Sequence, residues 1–235
     1  RVTTVDGLSV ERMRRAGAIV VAEPTANQPL LGHKGALWLR AVTTGVTAHG
    51  SMPHLGVNAA YKAARALGKL EAFDFNEAPH QHLGKPTLNV GAVRAGINVN
   101  SVPDRAEIDI DIRTIPSLPH ARVKEHVAAE LGGDVSMSGL VDVPAVWTEP
   151  GNAWLADVFA AVHAVTGKEP LPIATVPYFT DASVLKPALG DPPTVVLGPG
   201  EPGMAHQTDE YCFVDHIRDA EKIYIRLIET WQAQA

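Results

Sequence analysis

The amino-acid sequence predicts an α/β sheet unit interrupted by an inserted α+β unit of ferredoxin-like order. Three observations predict it. From Leu37 to about Val143 the elements read strand, helix, strand, strand, helix, strand, which is the ferredoxin-like order. Ala106 to Ile112 alternates apolar and acidic residues without a break, the pattern of a half-buried strand. Thr194 to Leu197 is instead an unbroken apolar, β-branched run between Pro193 and Gly198, as in a central strand covered on both faces. The expected division is 1–36 with 144–235 as one unit and 37–143 as the insertion.

The elements follow in chain order. Ala18 to Val21 reads as a short buried strand that Glu23-Pro24-Thr25 ends. It has no partner nearby in sequence and most simply joins the C-terminal sheet, which makes the middle unit an insertion. Leu37 to Thr43 is extended. Val57 to Leu70 is helical, with Ala60, Ala63, Ala64, Leu67 and Leu70 on one face and Lys62, Arg65 and Lys69 opposite. Thr87 to Val93 and Ala106 to Ile112 are strands. Ala121 to Leu131 is a helix stopped by Gly132, and Val135 to Val141 is a further strand. Asn152 is placed to cap a helix from Ala153 to Thr166 that Gly167 closes. Asp215 to Trp231 is the longest helix, with Ile217, Ala220, Ile223, Leu227 and Trp231 expected to face inward.

Composition narrows the function classes. The 235 residues are 46% apolar and 20% charged, enough for one large domain or two small ones with cores of their own. A net charge of −6 and the lack of any basic run argue against nucleic acid. The apolar stretches are too short to span a bilayer. A single cysteine, Cys212, excludes an internal disulfide and fits a reducing compartment, so a cytoplasmic location is expected. No secretory signal is visible, and a chain that begins at Arg1 is expected to have lost its true start.

Five side chains could carry chemistry. Glu23 stands where an apolar strand ends, and ligands of open α/β sheets collect outside the carboxyl ends of strands. A solvated loop glutamate has the same appearance. His206 follows a strand and a glycine-rich loop and precedes acidic residues, where an imidazole could bind metal with a carboxylate fixing its tautomer. A surface histidine fits equally. His49 lies in a turn-rich segment after a strand and could be a hydrogen-bonded turn residue. Arg113 ends the alternating strand, where a guanidinium could grip a carboxylate through paired hydrogen bonds or form a salt bridge within the sheet. Asn100 would ordinarily be a turn former.

Singly these decide nothing; together they form a pattern. Ala22-Glu-Pro-Thr25, Gly32-His-Lys-Gly35, Ala48-His-Gly-Ser-Met-Pro-His-Leu-Gly-Val-Asn-Ala59, Asn100-Ser-Val-Pro-Asp104, Asp111-Ile-Arg113, Thr180-Asp-Ala182, Gly198-Pro-Gly200 and Ala205-His-Gln-Thr-Asp-Glu-Tyr211 occur in that order. The sequence thereby resembles the M20 metallopeptidase family, which includes acetylornithine deacetylase, succinyl-diaminopimelate desuccinylase, aminoacylase and glutamate carboxypeptidase. Several motifs in the right order are far more specific than one.

The resemblance implies an α/β catalytic domain of the zinc-peptidase kind, here partial (1–36 and 144–235), and an inserted ferredoxin-like lid (37–143) that pairs two subunits. It implies two zinc ions, with Glu23 on one and His206 on the other. It implies that His49 reaches the partner subunit's active site as an oxyanion donor, and that Asn100 and Arg113 hold the substrate, Arg113 by its carboxylate. Thr180 and Asp181 match a loop beside the site and receive no role. In the family, two zinc ions share a water and polarise an amide carbonyl, and a glutamate moves the proton. The expected activity is hydrolysis of an N-acyl amino acid or small peptide bearing a free carboxylate, by a homodimer.

The sequence departs from the pattern in one large respect. The family's first histidine, bridging aspartate and Glu-Glu pair have no counterpart between Arg1 and Ala22. The expectation is a chain lacking the N-terminal half of its catalytic domain and inactive alone, with zinc, cobalt or manganese as the metal of the intact enzyme. A rival reading is a non-catalytic dimerisation or binding module. A third, a one-metal hydrolase on Glu23 and His206, lacks the third protein ligand that catalytic zinc normally has.

Overall fold

The computed structural model describes residues 15–234; what the sequence led us to expect of residues 1–14 and 235 lies outside the described residues. Along the chain the elements are β1 (Ile19–Val21), β2 (Gly32–His33), β3 (Gly35–Thr44), α1 (Ala59–Glu71), β4 (Thr87–Ala95), β5 (Arg105–Thr114), α2 (His120–Leu131), β6 (Val135–Val143), β7 (Val146–Trp147), α3 (Trp154–Thr166), β8 (Thr175–Val176), α4 (Ala182–Ala188), β9 (Thr194–Val196) and α5 (Val214–Gln234). They fall into two compact units: residues up to His33 with those from Ala145, and Lys34–Pro144.

The Lys34–Pro144 unit is a four-stranded sheet of order β4-β5-β3-β6, antiparallel throughout. This is the expected ferredoxin-like arrangement. Its organising strand is β5, whose alternation buries Ala106, Ile108, Ile110, Ile112 and Thr114 on one face. Each isoleucine removed from water there contributes about 1.5–3 kcal/mol. Helices α1 and α2 contact each other and the sheet, burying Ala59, Ala63, Ala66 and Leu70 from the first and Val123, Val127 and Leu131 from the second. The buried face of α1 is thus rotated from the expected one, since Ala64 is exposed and Ala59 and Ala66 are buried. Asn58 sets this phase by accepting hydrogen bonds from Ala60 N (2.8 Å) and Tyr61 N (3.2 Å).

The acidic face of β5 is neutralised by arginines from its neighbours. Arg40 grips Asp109 with two hydrogen bonds (2.6 and 2.9 Å), and Arg94 adds a third at 2.8 Å. Those bonds, Arg40's first, hold the Asp109 carboxyl down at about 2. Register shifts at Trp38/Leu39 and Val90/Ala92 place bulges against both edge strands.

In the other unit β1 pairs with β9 in parallel, so the first strand does join the C-terminal sheet as expected. A second sheet has the order β7-β2-β8, and Leu30 bridges it to Val196. The strands are covered on both faces, which explains their unbroken apolar sequence. Val195 and Leu197 join Leu155, Val158, Val162, Ile223 and Leu227 of α3 and α5. Ile19, Val21 and Val196 pack instead with Ala182 and Leu189, at the two ends of α4. Asn152 Oδ1 accepts from Trp154 N (3.1 Å) and Gly167, in the left-handed region, ends α3. Helix α5 departs from expectation at both ends. Ala220, Ile223 and Leu227 are buried, but Ile217 and Trp231 are 50% and 43% exposed. No helix among the described residues is long and apolar enough to cross a membrane.

Candidate active site

The parallel pairing of β1 with β9 sends two loops out from the same end of the sheet, where ligands of such sheets bind. One carries Glu23 and the other carries Gly198-Pro-Gly200 and His206. The loops are bonded together: Thr25 Oγ1 accepts from Gly198 N (3.0 Å), Asn27 N donates to Gly198 O (2.8 Å) and Ala26 N to Gly200 O (2.8 Å). Such closeness needs the glycines. A Cβ on Gly198 would lie 2.5 Å from Glu23 O, and one on Gly200 2.9 Å from the Pro24 ring. Among the described residues, four of the six non-glycine residues with positive φ, Ala26, Asn27, His206 and Asp209, lie in these two loops. Backbone strain of this kind persists where the surroundings over-determine it, and it clusters at functional sites.

Glu23 is half-buried, and burial first, then the charge of Asp181, pushes its carboxyl pKa up; the His206 imidazole opposes both. Tyr178 is another neighbour, its hydroxyl pushed up by burial and by Glu23. The structure therefore brings together Glu23, His206 and Asp181, and adds Tyr178, which the sequence reading missed. His33, in the Gly32-His-Lys-Gly35 segment, lies in the same unit. It is fully buried, and its Nε2 lies 3.1 Å from Thr180 Oγ1. Thr180 also accepts from Ala182 N (3.2 Å), which fixes the start of α4 and with it Asp181.

The Lys34–Pro144 unit holds the other candidates at opposite ends of its sheet. His49 is exposed in the loop after β3, bridged to Ser101, and Gly50 N donates to Asn100 O (2.7 Å). Ser51 N donates to His49 Nδ1 (3.2 Å), so in the neutral ring Nδ1 is an acceptor and the proton sits on Nε2, making that nitrogen a donor. Arg113 lies near the far end of β5, opposite Ala36 in the register, whereas Thr44 pairs with Arg105. At about 3.4 Å per residue, eight steps of strand separate the two ends by about 27 Å. Arg113 makes the salt bridge within the sheet, with Nε and Nη2 at 2.8 and 2.9 Å from the Asp111 carboxylate. Lys34 is its cationic neighbour, pushed down by burial and then by the Arg113 charge. His49 and Asn100 thus belong together and Arg113 does not join them.

Zinc needs three or four donors in place. Among the described residues no group of three or more His, Cys, Asp or Glu could hold a metal ion. The residues present do not by themselves fit the implied metal pair.

Comparison with known proteins bears on the same segments. Residues 31–134 match the M20 peptidase dimerisation domain. The acetylornithine deacetylase of Pasteurella multocida (strain Pm70) is 30% identical over 226 residues, covering 91% of this chain and 57% of that protein. A protein of Talaromyces marneffei named a probable carboxypeptidase is 32% identical over 224 residues, covering 90% and 48%. The chain spans about half the length of the curated relatives it matches. Among solved structures, the M20 family metallo-carboxypeptidase Sso-CP2 from Sulfolobus solfataricus superposes with a TM-score of 0.72 at 19% identity, covering 94% of this chain and 65% of that one. Aminopeptidase PepT from Bacillus cereus gives 0.71 at 23%, covering 95% and 59%. These two likenesses show the fold.

Proposed function

We propose, for a chain that carries the M20 peptidase dimerisation domain and is a homologue of acetylornithine deacetylases and carboxypeptidases, a part in hydrolysing the amide bond of an N-acyl amino acid or small peptide. The observation that carries the reading is that Glu23 and His206 lie on the loops leaving the carboxyl ends of two paired parallel strands, with Glu23 within electrostatic reach of His206 and of Asp181 at the start of α4. A cytoplasmic enzyme dependent on zinc belongs to the same reading, supported by the family resemblance and by the single cysteine. Its substrate bears a free carboxylate, for which Arg113 and Lys34 provide adjacent positive charge. The Asp111 pair fixes the plane of the Arg113 guanidinium and so orients it in advance. His49, with Nε2 protonated, is suited to donate to an oxyanion.

The separation of about 27 Å along the strands bears on assembly. His49 and Asn100 of one protomer cannot serve the site that Arg113 of that same protomer serves. A site needing all three takes His49 and Asn100 from one subunit and Arg113 from the other, so activity requires a dimer. The test is subunit mixing in a protein of the relatives' full length, assayed on N-acetyl amino acids. His49→Ala and Arg113→Ala homodimers should both be impaired. Their mixture should regain activity, because one of the two sites in each mixed dimer then has both residues intact. No recovery in proven mixed dimers would overturn the arrangement. A second reading, a non-catalytic dimerisation module, is favoured by the lack of a group of three metal donors among the described residues. Absence of any hydrolysis in the full-length protein would select it.

A further inference from the structure

We propose that His216, in the first turn of α5, is a positioning residue that holds both loops of the candidate site at once. The Glu23 loop is held through Asn27, whose Nδ2 donates to His216 O at 2.8 Å. The His206 loop is held through Glu201, whose Oε1 lies 3.2 Å from His216 Nδ1. That second contact is close but off the line of a hydrogen bond, so it acts as polar packing of the carboxylate against the edge of the ring. Asn27 is 2% exposed and in the left-handed region (φ 59°), a conformation asparagine tolerates and a buried contact must maintain. The His216 ring is itself fixed, because Phe213 meets it edge-on at 5.3 Å and Tyr211 meets Phe213 at 5.2 Å. Neither Asn27, Glu201 nor His216 takes part in the chemistry proposed above. Their arrangement makes one residue the common anchor for the segments bearing Glu23 and His206.

The role rests on the reading of Glu23 and His206 as site residues, but its test needs neither metal nor substrate. Amide hydrogen exchange is measured on the chain itself, wild type and His216→Phe, Glu201→Ala, the double variant and Asn27→Ala. Phenylalanine keeps the edge-on contact with Phe213 and removes Nδ1. His216→Phe should speed exchange in residues 199–206 about tenfold, as expected for losing one polar contact. Exchange in β1, β9 and α3 should stay within about twofold, and the His206 ring resonance should shift. Glu201→Ala should match it, and the double variant should add nothing further, since both remove one interaction. Asn27→Ala should loosen residues 23–28. Uniform acceleration across the unit, unchanged exchange in 199–206, or additive single effects would each overturn the proposal. Confirmed anchoring without hydrolysis in a full-length protein would sink the functional reading alone, and hydrolysis without anchoring would sink this one alone.

Discussion

At the scale of single residues, the site depends on close approach of two loops. Gly198→Ala would push a methyl against Glu23 O, an approach of 2.5 Å that backbone must relieve. The expected cost is about 1–3 kcal/mol, as for other overpacked positions, seen as a lower midpoint in urea unfolding; an unchanged midpoint would show that the loop yields freely. In the catalytic assay, Arg113→Ala should mainly raise KM for substrates with a free carboxylate, because a ground-state contact is uniform binding. His49→Ala should mainly lower kcat, by about a hundredfold, because an oxyanion contact strengthens in the transition state. An unaltered KM in Arg113→Ala would refute its assignment. Glu23 and His206 were legible because each follows an apolar strand in a recognisable motif. Tyr178 was not: its link to Glu23 is purely spatial, across 155 positions of sequence. His33 hid as an imidazole buried in a two-residue strand.

At the scale of elements, the strongest signal in the sequence was β5, where strict alternation fixed the strand, its buried face and its charged face together. The phase of α1 was misread because alanines occur all round it, and the cap at Asn58 decided which of them are buried. Strands β2, β7 and β8 have two residues each, too few for any periodicity, and exist only through tertiary pairing. The charged face of β5 makes a pH prediction. Asp109 ionises at about 2 in the fold against 3.8 ordinarily. A carboxyl depressed by folding stabilises above its unfolded value and loses that contribution as pH falls through the folded one. The sheet unit should therefore weaken as pH drops from 3.8 toward 2, and Asp109→Asn should flatten that part of the profile. Glu23 works in the opposite sense, since its raised carboxyl favours folding at lower pH. Circular dichroism melts of wild type and Asp109→Asn across this range would check the sign; a parallel loss in the two would exclude Asp109 as the cause.

At the scale of the whole molecule, two consequences follow from what the fold leaves exposed. The edge strands β4 and β6 present unpaired backbone, and Tyr61 on α1 is 68% exposed. Uncovered edges are an aggregation hazard unless something pairs with them, and the match to a peptidase dimerisation domain makes a second copy the natural partner. Sedimentation at micromolar concentration should give a dimer, and a monomer throughout would remove the shared site proposed above. The other consequence concerns activity. By the resemblance, Glu23 and His206 serve different metals, so this chain brings one terminal ligand to each. A lone carboxylate or imidazole beside water falls well short of the three or four donors a zinc ion needs, and no larger donor group exists among the described residues. The exposed side chains of Ile217, Ile225, Ile228 and Trp231 on α5 would equally suit contact with further polypeptide. The chain taken alone should hold no pair of zinc ions and should not turn over N-acetyl amino acids. Metal analysis after dialysis, beside an assay with added zinc, decides the matter. Two zinc ions retained per chain, or turnover abolished by Glu23→Ala, would mean that the ligand set has been misassigned.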